Sequence, residues 1–187
     1  MTNRPPLVRF YAMLMIGIGF IAIGIMLFLL LMGNVSAPLP TDTSIVPIEV
    51  DFAAPELVLE DLAGNRVSLR DYAGSVLLVN LWATWCPPCK EELPALQSFY
   101  EKHRSEGFVL IGIDQEEPLE VVKPFVDDYG LTFPIWLDED YLAEREFKTN
   151  SLPSSFVIDR SGQVRLMWVG GVSEKFLEKY VTKLIKE

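Results

Sequence analysis

Hydrophobic and polar positions alternate along this chain with two periods, preceded by a stretch that has neither. From Phe10 to Met32 there are 23 residues without a charge. Beyond Val50, short apolar runs exchange with segments of helical period. Val76–Trp82 is apolar and rich in β-branched residues, the pattern of a strand buried on both faces. Phe108–Asp114 reads the same way, and Ile135–Leu137 is a shorter strand. Leu57–Glu60 and Arg66–Leu69 flank Asp61-Leu62-Ala63-Gly64-Asn65, which predicts a hairpin. Ser154–Asp159 and Val164–Val169 form a second hairpin across Arg160–Gln163.

Four segments carry the helical period. One opens near Cys86 and runs to about Arg104, with Leu93, Leu96, Phe99 and Tyr100 on its buried stripe and Gly107 after it. Pro94 lies inside it and predicts a kink. Leu119–Tyr129 places Val122, Phe125, Val126 and Tyr129 on one face, with Pro124 an awkward member. Glu139–Phe147 is a further short helix. Ser173 caps the last, which turns Phe176, Leu177, Tyr180, Val181 and Leu184 inward. Strands alternating with helices, closed by a hairpin and a helix, predict an α/β sandwich with a mixed sheet.

The uncharged stretch would make a helix of about 35 Å, enough to cross a bilayer core. Arg4 and Arg9 precede it and no base follows closely. The positive-inside rule then puts residues 1–9 in the cytoplasm, the anchor at 10–32, and everything later on the periplasmic or outer face. Residues 33–49, rich in Ser, Thr and Pro, read as a tether to a domain at 50–187. A cleaved signal peptide is the competing reading, since Val35-Ser36-Ala37 resembles a cleavage site. Pro38 directly after it would make a poor protease substrate.

Of the 187 residues, all 26 acids and 14 of the 16 Lys and Arg fall from Asp42 onward. An acidic domain of this kind repels nucleic acid. Half of the residues are hydrophobic and only two are Cys, so the core does not depend on a disulfide framework.

The two cysteines carry the chemistry. Cys86, Pro87, Pro88 and Cys89 follow the central strand and open a helix, whose first turn has unpaired N–H groups and the positive end of the dipole. Both favour a thiolate at Cys86. Cys89, one turn on and more buried, is placed to close the disulfide. A zinc site needs about four ligands, but the chain has one His, His103, far along the same helix. Haem attachment needs His after the second Cys, where Lys90 stands. A structural staple closing so small a loop contributes only about 2 kcal/mol.

With Trp85-Cys86-Pro87-Pro88-Cys89, the preceding strand, and Pro153 in Ser151-Leu152-Pro153-Ser154 ahead of another strand, the chain resembles the thioredoxin superfamily. More narrowly it resembles the membrane-anchored TlpA/ResA-type thiol–disulfide oxidoreductases, which are AhpC/TSA-redoxin-like. The resemblance covers about Val50–Glu187. It implies a thioredoxin-like fold with an N-terminal β-hairpin and a central strand–helix insert over Leu119–Leu137. It also implies a cis Leu152–Pro153 peptide opposite the disulfide, an edge on which a substrate strand can pair. Ordinary thioredoxins have a buried Asp where this chain has Asn80. Asn80 cannot titrate, so another base is needed, and Glu92 on the buried stripe answers to the active-site Glu of the TlpA/ResA group. The expected catalytic residues are therefore Cys86, Cys89 and Glu92. Trp85, Pro87, Pro88, Leu152 and Pro153 are the expected substrate-binding residues.

The expected reaction is thiol–disulfide exchange, with no metal and no cofactor beyond the Cys86–Cys89 disulfide. Pro87 and Pro88 give the thiolate no backbone N–H and no charge, which predicts a reductase rather than a strong oxidant. The resemblance implies an exported substrate protein with a disulfide, such as an apocytochrome c. It also implies a membrane thiol carrier of the CcdA/DsbD kind as electron donor. The rival readings are a copper-handling module for a respiratory oxidase, a general disulfide oxidase, and a peroxidase.

Overall fold

A computed structural model describes residues 6–33 and 45–187, with side chains in the first stretch at positions 11 and 13–28. Helix α1 (Pro6–Gly33) and the α/β domain are two separate compact units. Among the described residues no helix is long and apolar enough to cross a membrane. The expected anchor at 10–32 and most of the tether thus fall partly or wholly outside the described side chains.

The domain is one eight-stranded mixed sheet. Its strands are β1 (Ile48–Ala53), β2 (Val58–Asp61), β3 (Arg66–Ser68), β4 (Val76–Trp82), β5 (Phe108–Gln115), β6 (Ile135–Asp138), β7 (Ser154–Ile158) and β8 (Gln163–Val169). They lie in the order β1-β8-β7-β4-β5-β6-β2-β3. The pairs β4–β5 and β5–β6 are parallel, joined by α2 (Pro87–His103) and α3 (Leu119–Tyr129) as crossovers, and the remaining pairs are antiparallel. The hairpin β2–β3 docks on β6, so the insert α3–β6 links it to the main sheet.

Every residue of β4 is buried, as a central strand requires. Its alternation sorts the core. Val76, Leu78 and Trp82 face the layer of α2, α3 and α5 (Glu174–Ile185), with Leu93, Leu96, Phe99, Val126, Leu177 and Val181. Leu77, Val79 and Leu81 face the other layer, with Phe156 and with Ala143 and Phe147 of α4 (Leu142–Phe147). Asn80 falls between Leu78 and Trp82 in this count, so its amide is turned toward α2.

Two expectations are corrected. Strand β1 was not read from the sequence, and Ile48 and Glu49, assigned to the tether, begin it. It is a mostly exposed edge strand paired to β8 on one side only, so its pattern lacks a buried face. Helix α4 starts at Leu142 rather than Glu139. The carboxylate of Asp138 accepts from the backbone N–H of Leu142 and Ala143 at 2.8 and 2.7 Å, capping the helix, while Tyr141 takes a left-handed conformation just before it. The helix opened by the motif ends at His103 with Arg104 as its C-cap, close to the expected end, and a 3₁₀ turn leads to Gly107 at φ 75°. Pro94 and Pro124 are accommodated within α2 and α3 without ending either.

Candidate active site

The strand β4 ends at Trp82, and four residues later Cys86 is the N-cap of α2. Positions one and two of the helix are Pro87 and Pro88, whose fixed φ suits a first turn and whose missing N–H leaves nothing unpaired there. The first free N–H therefore belongs to Cys89, and it donates to Cys86 Sγ over 3.3 Å. Cys86 and Cys89 are joined in a disulfide. Both are buried by their own chain, yet Trp85 beside them is 59% exposed. The Leu152–Pro153 peptide is cis, and Leu152 borders the same groove as Trp85 and Cys86.

Glu92 continues the buried face of α2 one turn beyond Cys89 and is 2% exposed. Asn80 Nδ2 donates to its Oε1 at 2.8 Å, and the Val172 N–H donates to its Oε2 at 3.1 Å. Burial pushes the carboxyl up to about 8, against the smaller downward pull of those two hydrogen bonds. A group that exchanges its proton near pH 8 suits transfer to and from a thiol. Asn80 also donates to Ser155 Oγ at 3.0 Å, which ties α2 through β4 to β7.

On the other side of the motif lies a second pair of acids that the sequence reading did not single out. Thr84 donates to Glu117 twice, from N–H at 2.5 Å and from Oγ1 at 2.6 Å. Asp114, at the end of β5, is fully buried, and neither oxygen makes a well-formed hydrogen bond. Burial pushes its carboxyl up to about 9, assisted by the neighbouring Glu117. An acid closing an otherwise apolar strand was the available signal, because ligands of α/β sheets gather at the carboxyl ends of parallel strands.

A groove of about 360 Å³ opens beside the disulfide, walled by the motif, by Glu116 after β5, and by Tyr141 and Glu144 at the start of α4. A cleft of about 550 Å³ lies at the opposite end of β4, around Tyr72–Leu77 and Ile158–Gly162. It has no cysteine in reach, so it takes no part in the site. Trp82, Trp136 and Trp168 are buried in the core. Gly171 lies against the first turn of α2: a Cβ there would stand 3.1 Å from Pro88 O. Among the described residues no group of three or more His, Cys, Asp or Glu could hold a metal.

Residues 50–167 match the AhpC/TSA family. The thiol-disulfide oxidoreductase ResA of Bacillus anthracis is 34% identical over 137 residues, which are 73% of this chain and 79% of that protein. The ResA of Halalkalibacterium halodurans is 35% identical over 133 residues, covering 71% and 75%. Among solved structures, a thiol:disulfide interchange protein of the thioredoxin family from Chlorobium tepidum matches with a TM-score of 0.66 at 30% identity, over 74% of this chain and 99% of that one. StoA from Bacillus subtilis matches with a TM-score of 0.58 at 28% identity, over 72% and 98%.

Proposed function

Because this chain belongs to the AhpC/TSA family and is a thioredoxin-like thiol–disulfide oxidoreductase of the ResA/DsbE type, we propose that it works as a reductase of exported protein disulfides, held on the outer face of a membrane by the uncharged segment at 10–32. The observation that carries the reading is the pairing of Cys86 at the mouth of α2 with a buried, protonatable Glu92 one turn behind Cys89.

In the reduced protein the Cys86 thiolate attacks one sulfur of a substrate cystine. The substrate S–S bond breaks, a mixed disulfide forms on Cys86, and the released substrate sulfur takes a proton. Glu92, as carboxylate, then accepts the Cys89 proton. The Cys89 thiolate attacks Cys86 Sγ and expels the second substrate thiol, leaving the Cys86–Cys89 disulfide and a substrate that has gained two electrons and two protons. Trp85, Leu152 and the cis Pro153 border the path by which a substrate strand reaches Cys86.

Direction follows from the two prolines. The Sγ of Cys86 has a single backbone donor, from Cys89, and no cation in the intervening dipeptide, so its thiolate is weakly held and the dithiol is a good reductant. Outside the cytoplasm its electrons would come from a membrane dithiol carrier of the CcdA/DsbD kind. An apocytochrome c, whose vicinal cysteines must be reduced before haem attachment, is the substrate of choice. Support for the location is the uncharged run at 10–32 with Arg4 and Arg9 before it.

The test is capture. Replacing Cys89 with Ser stops resolution, and the proteins left on Cys86 in membranes should be exported and cystine-bearing, with an apocytochrome c among them. Capture of cytoplasmic proteins alone, or a potential above about −150 mV, overturns the reading.

A further inference from the structure

The groove beside Cys86 has a charge that the exchange reaction does not call for. Glu116 lies on one wall and Glu144 on another, and no residue bordering the groove is basic. Glu116 and Tyr141 both hold left-handed backbone conformations, at φ 68° and 55°, unusual for residues with a Cβ. The two meet: the Tyr141 hydroxyl donates to Glu116, which pushes the phenol up to about 12. Glu116 itself is exposed. Glu144 is half-buried, and its carboxyl lies above the usual range through burial first, then the charges of Asp138 and Glu116. Among the described residues, two carboxyls thus share a concavity bordered by no base, and Glu116 raises the cost of charging Glu144.

What enters this concavity is fixed by its floor. Cys86 opens into it, and a partner cystine must approach Cys86 to react, so the side chain that fills the groove belongs to the residue flanking that cystine. A cationic side chain would gain two carboxylate partners and relieve their repulsion, whereas an anionic one would add a third like charge. Building on the reductase reading, we infer that Glu116 and Glu144 are specificity-determining residues, selecting substrate cystines flanked by Lys or Arg. Tyr141 positions Glu116 for that contact.

The test uses the reduced full-length protein in detergent with three cystine peptides of equal length, differing only in Lys, Ala or Glu beside the reactive half-cystine, and with the neutral 2-hydroxyethyl disulfide. At low salt kcat/KM should fall in the order Lys, Ala, Glu, with about 10-fold between the ends, and the spread should shrink in 0.5 M salt. Glu144→Gln should narrow the Lys-to-Glu ratio, and Glu116→Lys should bring it to one or below. Because a ratio is read, a general loss of rate in either variant cancels. Equal rates on the Lys and Glu peptides in the unsubstituted protein, or a ratio that survives both substitutions, overturn the inference while exchange on the neutral disulfide leaves the reductase reading standing. A protein inert toward all four disulfides sinks both.

Discussion

Asn80 Nδ2 donates to Glu92 Oε1 across 2.8 Å, joining the central strand to the helix that bears the disulfide. An acid at this strand position would itself carry a proton. Here the strand supplies a fixed donor, and the titratable group is on the helix. Because the amide cannot titrate, the protonation of this site is set by Glu92 and by how strongly its surroundings oppose its charge.

The first consequence is in pH. Glu92 has its pKa raised from 4.5 to about 8 by burial. Between those values the folded protein keeps a proton that the unfolded chain has released, so stability falls as pH rises through the window and the loss is complete above about 8. Glu92→Gln removes this contribution. Denaturant unfolding at pH 5 and pH 9 should show the variant losing less stability than the unsubstituted protein, by on the order of 2–4 kcal/mol. Some fall remains in the variant, since Asp114 is raised over a similar range. Disulfide reduction near pH 7 should slow about 100-fold and lose its inflection near 8. An unchanged inflection removes Glu92 from the proton path.

Asn80→Asp tests the same contact from the strand. It sets two carboxyls where one amide bonded one carboxyl, and the pair must share a proton. Both acids then have pKa values raised above their unfolded ones, so the variant should match the unsubstituted protein near pH 5 and fall about 2–3 kcal/mol below it at pH 9. Unfolding curves that stay parallel across pH would show that Asn80 and Glu92 are not coupled.

Much of this site was legible in the chain because it is local. Cys86, the two prolines and Cys89 are consecutive, and Glu92 follows on the same helical stripe, so a single periodicity places all of them. Asn80 was flagged only as a departure from an expected acid; its bond to Glu92 depends on the parity of β4, which the strand pattern contains. The second acid pair is different in kind. Glu117 meets Thr84, and Asp114 lies opposite Trp82, only because β5 runs parallel to β4, and no local period reports which strands are neighbours. Strand β1 escaped for the opposite reason: exposed at an edge, it has no alternation to read.

Glu117 gives that second pair its own test. Its carboxylate takes two hydrogen bonds from Thr84, two residues ahead of Cys86. Glu117→Gln leaves one acceptor for two donors and should cost about 2–3 kcal/mol. It also removes a charge that helps keep Asp114 protonated, so part of the stability loss above neutral pH should be relieved. The exposed Glu120→Gln is the control, expected within about 0.5 kcal/mol of the unsubstituted protein. Indistinguishable stabilities for the two variants would show that the Thr84 contacts do not hold the loop.

Gly171 separates what folds the site from what drives it. A Cβ at this position meets Pro88 O at 3.1 Å and Glu92 Cβ at 3.9 Å, so Gly171→Ala must push the first turn of α2 by a few tenths of an ångström. Gly170, its neighbour, sits at φ 102° and would instead press on the tip of Ile45, away from the helix. Alanine at Gly170 should therefore cost stability, about 1–2 kcal/mol, with the exchange rate nearly kept. Alanine at Gly171 should cost about 1 kcal/mol yet slow disulfide exchange roughly 10-fold, because displacing Pro88 shifts the turn whose Cys89 N–H reaches Cys86 Sγ. Unfolding free energies and single-turnover reduction rates, measured on the same two variants, give the comparison. Equal rates in both would mean that the close approach of β8's end to α2 serves packing alone.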